Sequence, residues 1–108
     1  MRKRLKFADP LVPLVLNGSK NTTWRINDDK DLQPTDILSL QKTDQTQFAE
    51  AKILWVKETT FSELTSEDKK GHEPFKSDEE MLQTYSKYYS MEVNLSTRLK
   101  VVKFKILN

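Results

Sequence analysis

Residues 18 to 25 read Gly18-Ser19-Lys20-Asn21-Thr22-Thr23-Trp24-Arg25, and no other stretch of the chain gathers as many groups able to handle a ligand. Two cations, two hydroxyls and an indole ring follow a glycine that ends an apolar run. Cations this close to β-branched residues suggest a strand start aimed at an anionic or polar ligand, although residue types alone favour a solvated turn leading into an ordinary strand. A regular strand puts Thr23 and Arg25 on one face and Trp24 on the other. Lys20 then faces away from Thr23 unless the turn after the glycine reorients it, so strand periodicity by itself does not assemble one site.

The only other glycine opens a second polar group, Gly71-His72-Glu73-Pro74-Phe75. Such sparing use of glycine suggests special backbone conformations at both points. Glu73 precedes a proline and is therefore held extended. It is either a carboxylate fixed in a loop beside a cleft or a solvent-exposed loop acid, and residue type favours the acid. His72 has the chemistry of a general base, but a lone histidine beside a proline loop is more often a structural hydrogen-bonding group and is left out of the catalytic set. Trp24, Trp55 and Tyr88 or Tyr89 can stack on a base, though rings in such patterns are more often core. Lys100, Lys103 and Lys105 form either a phosphate-attracting stripe or, the preferred reading, a solvated face protecting an edge strand.

Composition narrows the classes. The chain has 108 residues, and a single domain spanning 1–108 is expected. Lys and Arg total 18 against 16 Asp and Glu, a net charge of +2. That is too weak for non-specific duplex binding over a broad face, so any nucleic-acid contact is local. Without cysteine and with one histidine, neither a disulfide nor a conventional zinc site is expected, and no metal or cofactor is called for. Met1-Arg2-Lys3-Arg4 is basic, but no signal peptide follows. Leu11 to Leu16 is interrupted by Pro13 and too short to span a bilayer, so a cytoplasmic protein without a membrane partner is expected.

The elements that must position these groups can be read from pattern. Leu5-Lys6-Phe7 predicts a first strand. Asp9 reads as an N-cap with Pro10 at the first helical position, opening a short apolar helix that is expected to be buried against a sheet and ends at Asn17-Gly18. Thr22 to Ile26 predicts a second strand, Asn27-Asp28-Asp29-Lys30-Asp31 and Pro34-Thr35-Asp36 predict turns, and Ile37 to Gln41 predicts a third strand. After a hairpin loop at Thr43-Asp44-Gln45-Thr46, a long strand runs from Gln47 to about Thr60. Its Ile53-Leu54-Trp55-Val56 is apolar on both faces, which suits a barrel with a helix outside. Thr65-Ser66-Glu67-Asp68 is a weak capping box and Ser77-Asp78-Glu79-Glu80 a stronger one. Met81, Leu82, Tyr85, Tyr88 and Tyr89 fall at helical spacing and should dock that helix on the barrel. Arg98 to Leu107 closes the chain as a strand. The order predicts an α+β domain, a small, partly open barrel with helices over its openings.

With these residues in place, the chain resembles an ASCH domain, a relative of the PUA RNA-binding domain, over essentially its whole length. The family pattern G-x-K-x-x-E-x-R after the first helix is met by Gly18, Lys20 and Arg25. Leu5-Lys6-Phe7, Thr59-Thr60-Phe61-x-x-Leu64, Gly71-His72-Glu73 and the closing Lys-Phe-Lys strand are also similar. The resemblance implies a PUA-like β-barrel with a cleft beside the first helix, used for RNA or a modified nucleoside. One small bacterial branch, the N(4)-acetylcytidine amidohydrolases, carries G-x-K-x-x-T-x-R. Likeness to that branch implies Lys20, Thr23 and Glu73 as catalytic residues, with Arg25, Trp24, Thr22 and Asn21 binding substrate. In that reading Lys20 takes the proton of Thr23, Thr23 attacks the acetyl carbonyl, and Glu73 protonates the leaving amine or activates water. Two alternatives stay open: a non-catalytic RNA-binding module using the same cleft, and a metal-independent ribonuclease acting on single-stranded RNA.

Overall fold

Period-two stretches rich in β-branched and aromatic residues set the sheet. The computed structural model describes residues 2–28 and 30–107, with strands β1 (Arg2–Lys6), β2 (Thr22–Arg25), β3 (Ile37–Gln41), β4 (Gln47–Thr60) and β5 (Arg98–Leu107). Helices are α1 (Val12–Leu16), α2 (Ser66–Lys69) and α3 (Asp78–Tyr89), with 3-10 turns at Asp9–Leu11 and Phe61–Glu63. Met1 of the basic start and Asp29 of the expected polar turn lie outside the described residues. The strands form one five-stranded sheet in the order β1-β3-β4-β5-β2. β1 runs parallel to β3, and the other neighbours are antiparallel. The result is a mixed α+β half-barrel whose two edges are β1 and β2.

Several local expectations are corrected. Asp9 does not cap a helix: Ala8 takes the cap position without a side-chain bond, and the Asp9 carboxylate instead accepts from Thr43 Oγ1 at 3.4 Å. Pro10 and Pro13 each remove a backbone donor, and the segment divides into a 3-10 turn followed by a five-residue α1. α1 buries Val12 and Val15, while Leu16 is 55% exposed, so only one side of this apolar helix meets the sheet. The apolar run in β4 contains a bulge: Ile53 pairs with Phe104 and Trp55 with Lys103, leaving Leu54 as the extra residue, turned to solvent. β5 is internal, so its lysines protect no edge. Lys100 is instead tied down, donating to Asp28 Oδ2 at 2.8 Å and to the Leu32 carbonyl at 3.2 Å. The two capping boxes exchange rank. Thr65 and Asp68 bond reciprocally (3.2 and 3.0 Å), whereas Ser77 accepts from Glu80 N while the Glu80 carboxylate accepts from Lys76 N, one residue beyond the cap.

β5 divides the core between its two faces. Val102 and Phe104 join Leu5, Phe7, Leu38, Leu40 and Ile53 in one cluster, while Leu99 and Val101 join Trp24, Phe61, Met81 and Tyr85 in the other, against α3. α3 is thereby docked through Met81 and Tyr85 beside β2. Among the described residues no helix is long and apolar enough to cross a membrane.

Candidate functional site

Gly18 and Gly71 both take left-handed backbone, at φ 87° and 81°, a region that favours glycine. Gly18 turns the chain sharply at the end of α1: its N–H bonds Val15 O, and Lys20 N–H then returns to Leu14 O at 3.0 Å. This turn resolves the periodicity problem. Lys20 lies before β2 begins, and its side chain is driven inward until 3% of it is exposed. The two glycine-led segments are then joined main chain to main chain. Asn21 N–H and Thr22 N–H both donate to Gly71 O, at 2.9 and 3.1 Å. A Cβ on Gly71 would collide with the Asn21 side chain, so this close approach also requires glycine.

The join brings Glu73 to Lys20. Lys20 Nζ donates to Glu73 Oε1 at 2.6 Å and to the Thr22 carbonyl at 2.8 Å. Lys20, Thr23, Trp24, Arg25 and Glu73 all line one cavity of about 220 Å³. Its far wall is Lys6, Phe7 and Ala8 at the end of β1, and Tyr85, Tyr88 and Tyr89 of α3 stand over it. The cavity thus occupies the seam where the barrel fails to close, between edge strands β1 and β2. It is smaller than the roughly 300–1,000 Å³ of drug-sized sites, and suits a fragment the size of one base or an acyl group.

Arg25 bridges the seam. Its Nη2 donates to Lys6 O at 3.2 Å, and its guanidinium lies 5.6 Å from the centre of the Phe7 ring. Arg25 Nε is buried with no hydrogen-bond partner among the described residues. A buried donor left unpaired costs about 1–3 kcal/mol.

Asn21 and Thr22, expected as substrate contacts, are placed elsewhere. Thr22 sits on the opposite strand face from Thr23 and is fully buried, its Oγ1 donating to Lys70 O at 3.0 Å. Asn21 is in the seam between the two glycine-led segments, accepting from Thr22 Oγ1 at 3.2 Å. Neither lines the cavity. Trp24 does, while also belonging to the core: its Nε1 donates to Asp68 O at 3.1 Å and its ring stacks on His72 at 3.7 Å. His72, omitted from the sequence-based set, proves to be buried against Glu73, with Nδ1 3.1 Å from Glu73 Oε1. Lys6, Phe7 and Tyr85 carried no site signal in the sequence beyond their strand and helix periodicity.

Burial shapes the electrostatics. Desolvation pulls Lys20 below the usual lysine range, with Arg25 adding to it, against the pull of Glu73. Burial pushes the Glu73 carboxyl up, but the Lys20 ammonium, His72 and the Lys20 hydrogen bond together hold it below its usual value. His72 is pushed down to about 4, first by burial and then by the charge on Lys20, so it is neutral at pH 7. Burial, followed by Glu73, raises the Tyr85 phenol well above its normal range. The arrangement offers a desolvated amine, a hydroxyl-bearing strand residue, an ionised carboxylate and an unpaired guanidinium donor around one small space. Among the described residues no cluster of three or more His, Asp or Glu is placed to hold a metal.

No protein-family model matches the sequence. No curated protein matches it. Solved structures do. An ASCH domain from Lactobacillus crispatus superposes with a TM-score of 0.74 at 14% identity, covering 97% of this chain and 79% of that one. A protein from Enterococcus faecalis gives 0.82 at 15% identity, over 99% of this chain and 80% of its own. A mutant ASCH protein from Zymomonas mobilis gives 0.66 at 13%, over 99% and 75%. The half-barrel with its open seam is the fold of the ASCH domains.

Proposed function

We propose that the chain binds a modified nucleoside, free or within RNA, in the Lys20-Thr23-Arg25-Glu73 cavity and hydrolyses the amide of N(4)-acetylcytidine. The reading is carried by one observation: a buried amine paired with a carboxylate at 2.6 Å, on the wall that also holds a threonine and an arginine. The lowered pKa of Lys20 gives it a fraction of neutral amine, and in that form it takes the Thr23 hydroxyl proton as Thr23 Oγ1 attacks the acetyl carbonyl. Arg25 cannot serve as a base, and its Nε–H is the donor for the developing oxyanion or the pyrimidine oxygen. The C–N bond breaks, and the proton on Lys20 passes to the leaving amine of cytidine. Glu73 enters ionised, so it acts as an acceptor: it steadies the Lys20 ammonium, then draws a proton from the water that attacks the acyl-threonine and passes it to Thr23 Oγ1 as that bond breaks, the acetic acid giving its own proton to solvent. Acetate and the free hydroxyl of Thr23 result.

Incubation with N(4)-acetylcytidine, with cytidine read by chromatography, tests this. Turnover that falls at least 100-fold in Thr23→Ala and in Lys20→Ala is expected for loss of a nucleophile or its base, each worth about 10² or more. Absence of turnover together with salt-sensitive binding of short RNA would replace the hydrolase with a binding module. That second reading is favoured by the three cations Lys6, Lys20 and Arg25 around the cavity, set against the single carboxylate of Glu73. Shortening of the RNA without added metal would instead identify a ribonuclease.

A further inference from the structure

His72 takes no part in the steps above, yet it meets Glu73 twice. Its Nδ1 lies 2.9 Å from Glu73 O and 3.1 Å from Glu73 Oε1. A carbonyl and an ionised carboxylate only accept, so Nδ1 must carry the hydrogen. A neutral imidazole has one N–H, which leaves Nε2 as an acceptor. Nε2 lies 2.9 Å from the Tyr85 hydroxyl, which therefore donates to it. The ring cannot turn without breaking both contacts, and it is clamped by Trp24, stacked at 3.7 Å and 13°.

We infer that His72 is a positioning residue for Glu73: its Nδ1–H, bonded to the Glu73 carbonyl, fixes the main chain from which the carboxylate reaches Lys20, and the Tyr85 hydroxyl fixes the tautomer that this requires. The inference rests on the reading that Glu73 serves the Lys20–Thr23 chemistry. Lys20 Nζ donates to Oε1 at 2.6 Å, while the His72 N–H is engaged by the Glu73 carbonyl with its nitrogen 3.1 Å from the same Oε1. A loop carboxylate ahead of a proline becomes a group of fixed direction, and helix α3 supplies the anchor through Tyr85.

The single histidine makes the test direct, since one set of imidazole signals is present. Two-bond proton–nitrogen correlation spectra of the full chain at pH 7 should show protonated Nδ1 and bare Nε2. In Tyr85→Phe the population should shift toward the Nε2–H form, and kcat on N(4)-acetylcytidine should fall about tenfold with KM unchanged, the scale of a lost supporting hydrogen bond. His72→Asn, whose amide stands where Nδ1 does, should retain more turnover than His72→Gln, whose amide reaches only toward Nε2. Overturning results are a wild-type imidazole in the Nε2–H or charged form, a Tyr85→Phe variant whose tautomer or kcat stays at the wild-type value, or a Gln variant more active than the Asn one. Should the wild type not turn over acetylcytidine, the hydrolase reading fails alone, and the two spectra still decide the role of His72.

Discussion

Glu73→Gln removes one charge from the Lys20–Glu73 pair while leaving an amide oxygen to accept from Lys20. Lys20 is 3% exposed and Glu73 23% exposed, so the surviving ammonium is nearly dry and its counter-charge was only partly screened. Stripping one partner from a fully buried pair costs about 3–5 kcal/mol. Partial access of water on the Glu73 side and the retained acceptor bring the expected loss to about 2–3 kcal/mol. The size must depend on pH in a definite direction. With Glu73 neutral, burial and Arg25 act on Lys20 unopposed by the carboxylate charge, so its folded-state pKa falls further. The folded variant then holds fewer protons than the unfolded chain at every pH between that value and about 10.4, and its stability rises with pH across this window. Urea unfolding at pH 6 and pH 9 should therefore show the deficit of Glu73→Gln shrinking at the higher pH. The double variant Lys20→Met, Glu73→Gln should return to within about 1 kcal/mol of wild type, since no buried charge is left alone. A deficit below about 0.5 kcal/mol at pH 6, or one that does not change with pH, is the behaviour of an exposed ion pair and would refute the account.

His72 gives a second pH signature. Its pKa falls from 6.5 to about 4 on folding, so stability should drop as pH falls through that window, by about 3 kcal/mol in all at 1.36 kcal/mol per unit. Glu73, also lowered, adds to the loss as pH falls through its folded value; a urea-midpoint series from pH 7 to pH 4 should be visibly flatter in His72→Asn. Gly71→Ala places a side chain at φ 81° and displaces Asn21, and should cost roughly 1–2 kcal/mol in thermal or urea unfolding while lowering turnover through Glu73. Ser90 closes α3 in left-handed backbone at φ 51°, where Gly is preferred, so Ser90→Gly should stabilise by about 0.5–1 kcal/mol in the same assay without changing turnover.

The sequence states β3, β4 and β5 almost to the residue, because alternating apolar side chains and the turn residues between them are local signals. It does not state that β1 pairs in parallel with β3, or that β5 is internal, since strand order depends on crossovers that no local pattern encodes. The charged start of β1 hid three of its five residues for the same reason: Arg2, Lys3 and Arg4 show no alternation, and only the pairing reveals them. For the site, Lys20 and Thr23 are visible as residue types, but their place on one cavity wall is not. It comes from a left-handed turn at Gly18, whose direction the glycine permits but does not announce. Glu73 is legible as a loop carboxylate held extended before a proline, but its pairing with Lys20 is not, because that partner stands 53 residues away. His72 is legible as a structural hydrogen-bonding group, but its partners are not, since Trp24 and Tyr85 arrive from β2 and α3.

The backbone join at Gly71 bears on how this scaffold can change its chemistry. Lys20 is set by Leu14 O, and the residues after it by Gly71 O and by Phe104 N–H donating to Asn21 O. All of these are main-chain atoms, present whatever side chains stand at those positions. A substitution at position 23 therefore leaves the backbone that carries Lys20 in place while exchanging a group that lines the cavity. Of positions 21 to 23, only 23 lines the cavity with Lys20, so the group displayed there is separable from the frame. Thr23 is itself buried, 5% exposed, so a library varied at position 23 among residues of its size, on an otherwise constant chain, would explore different chemistries with glycines 18 and 71 kept as the letters that hold the frame.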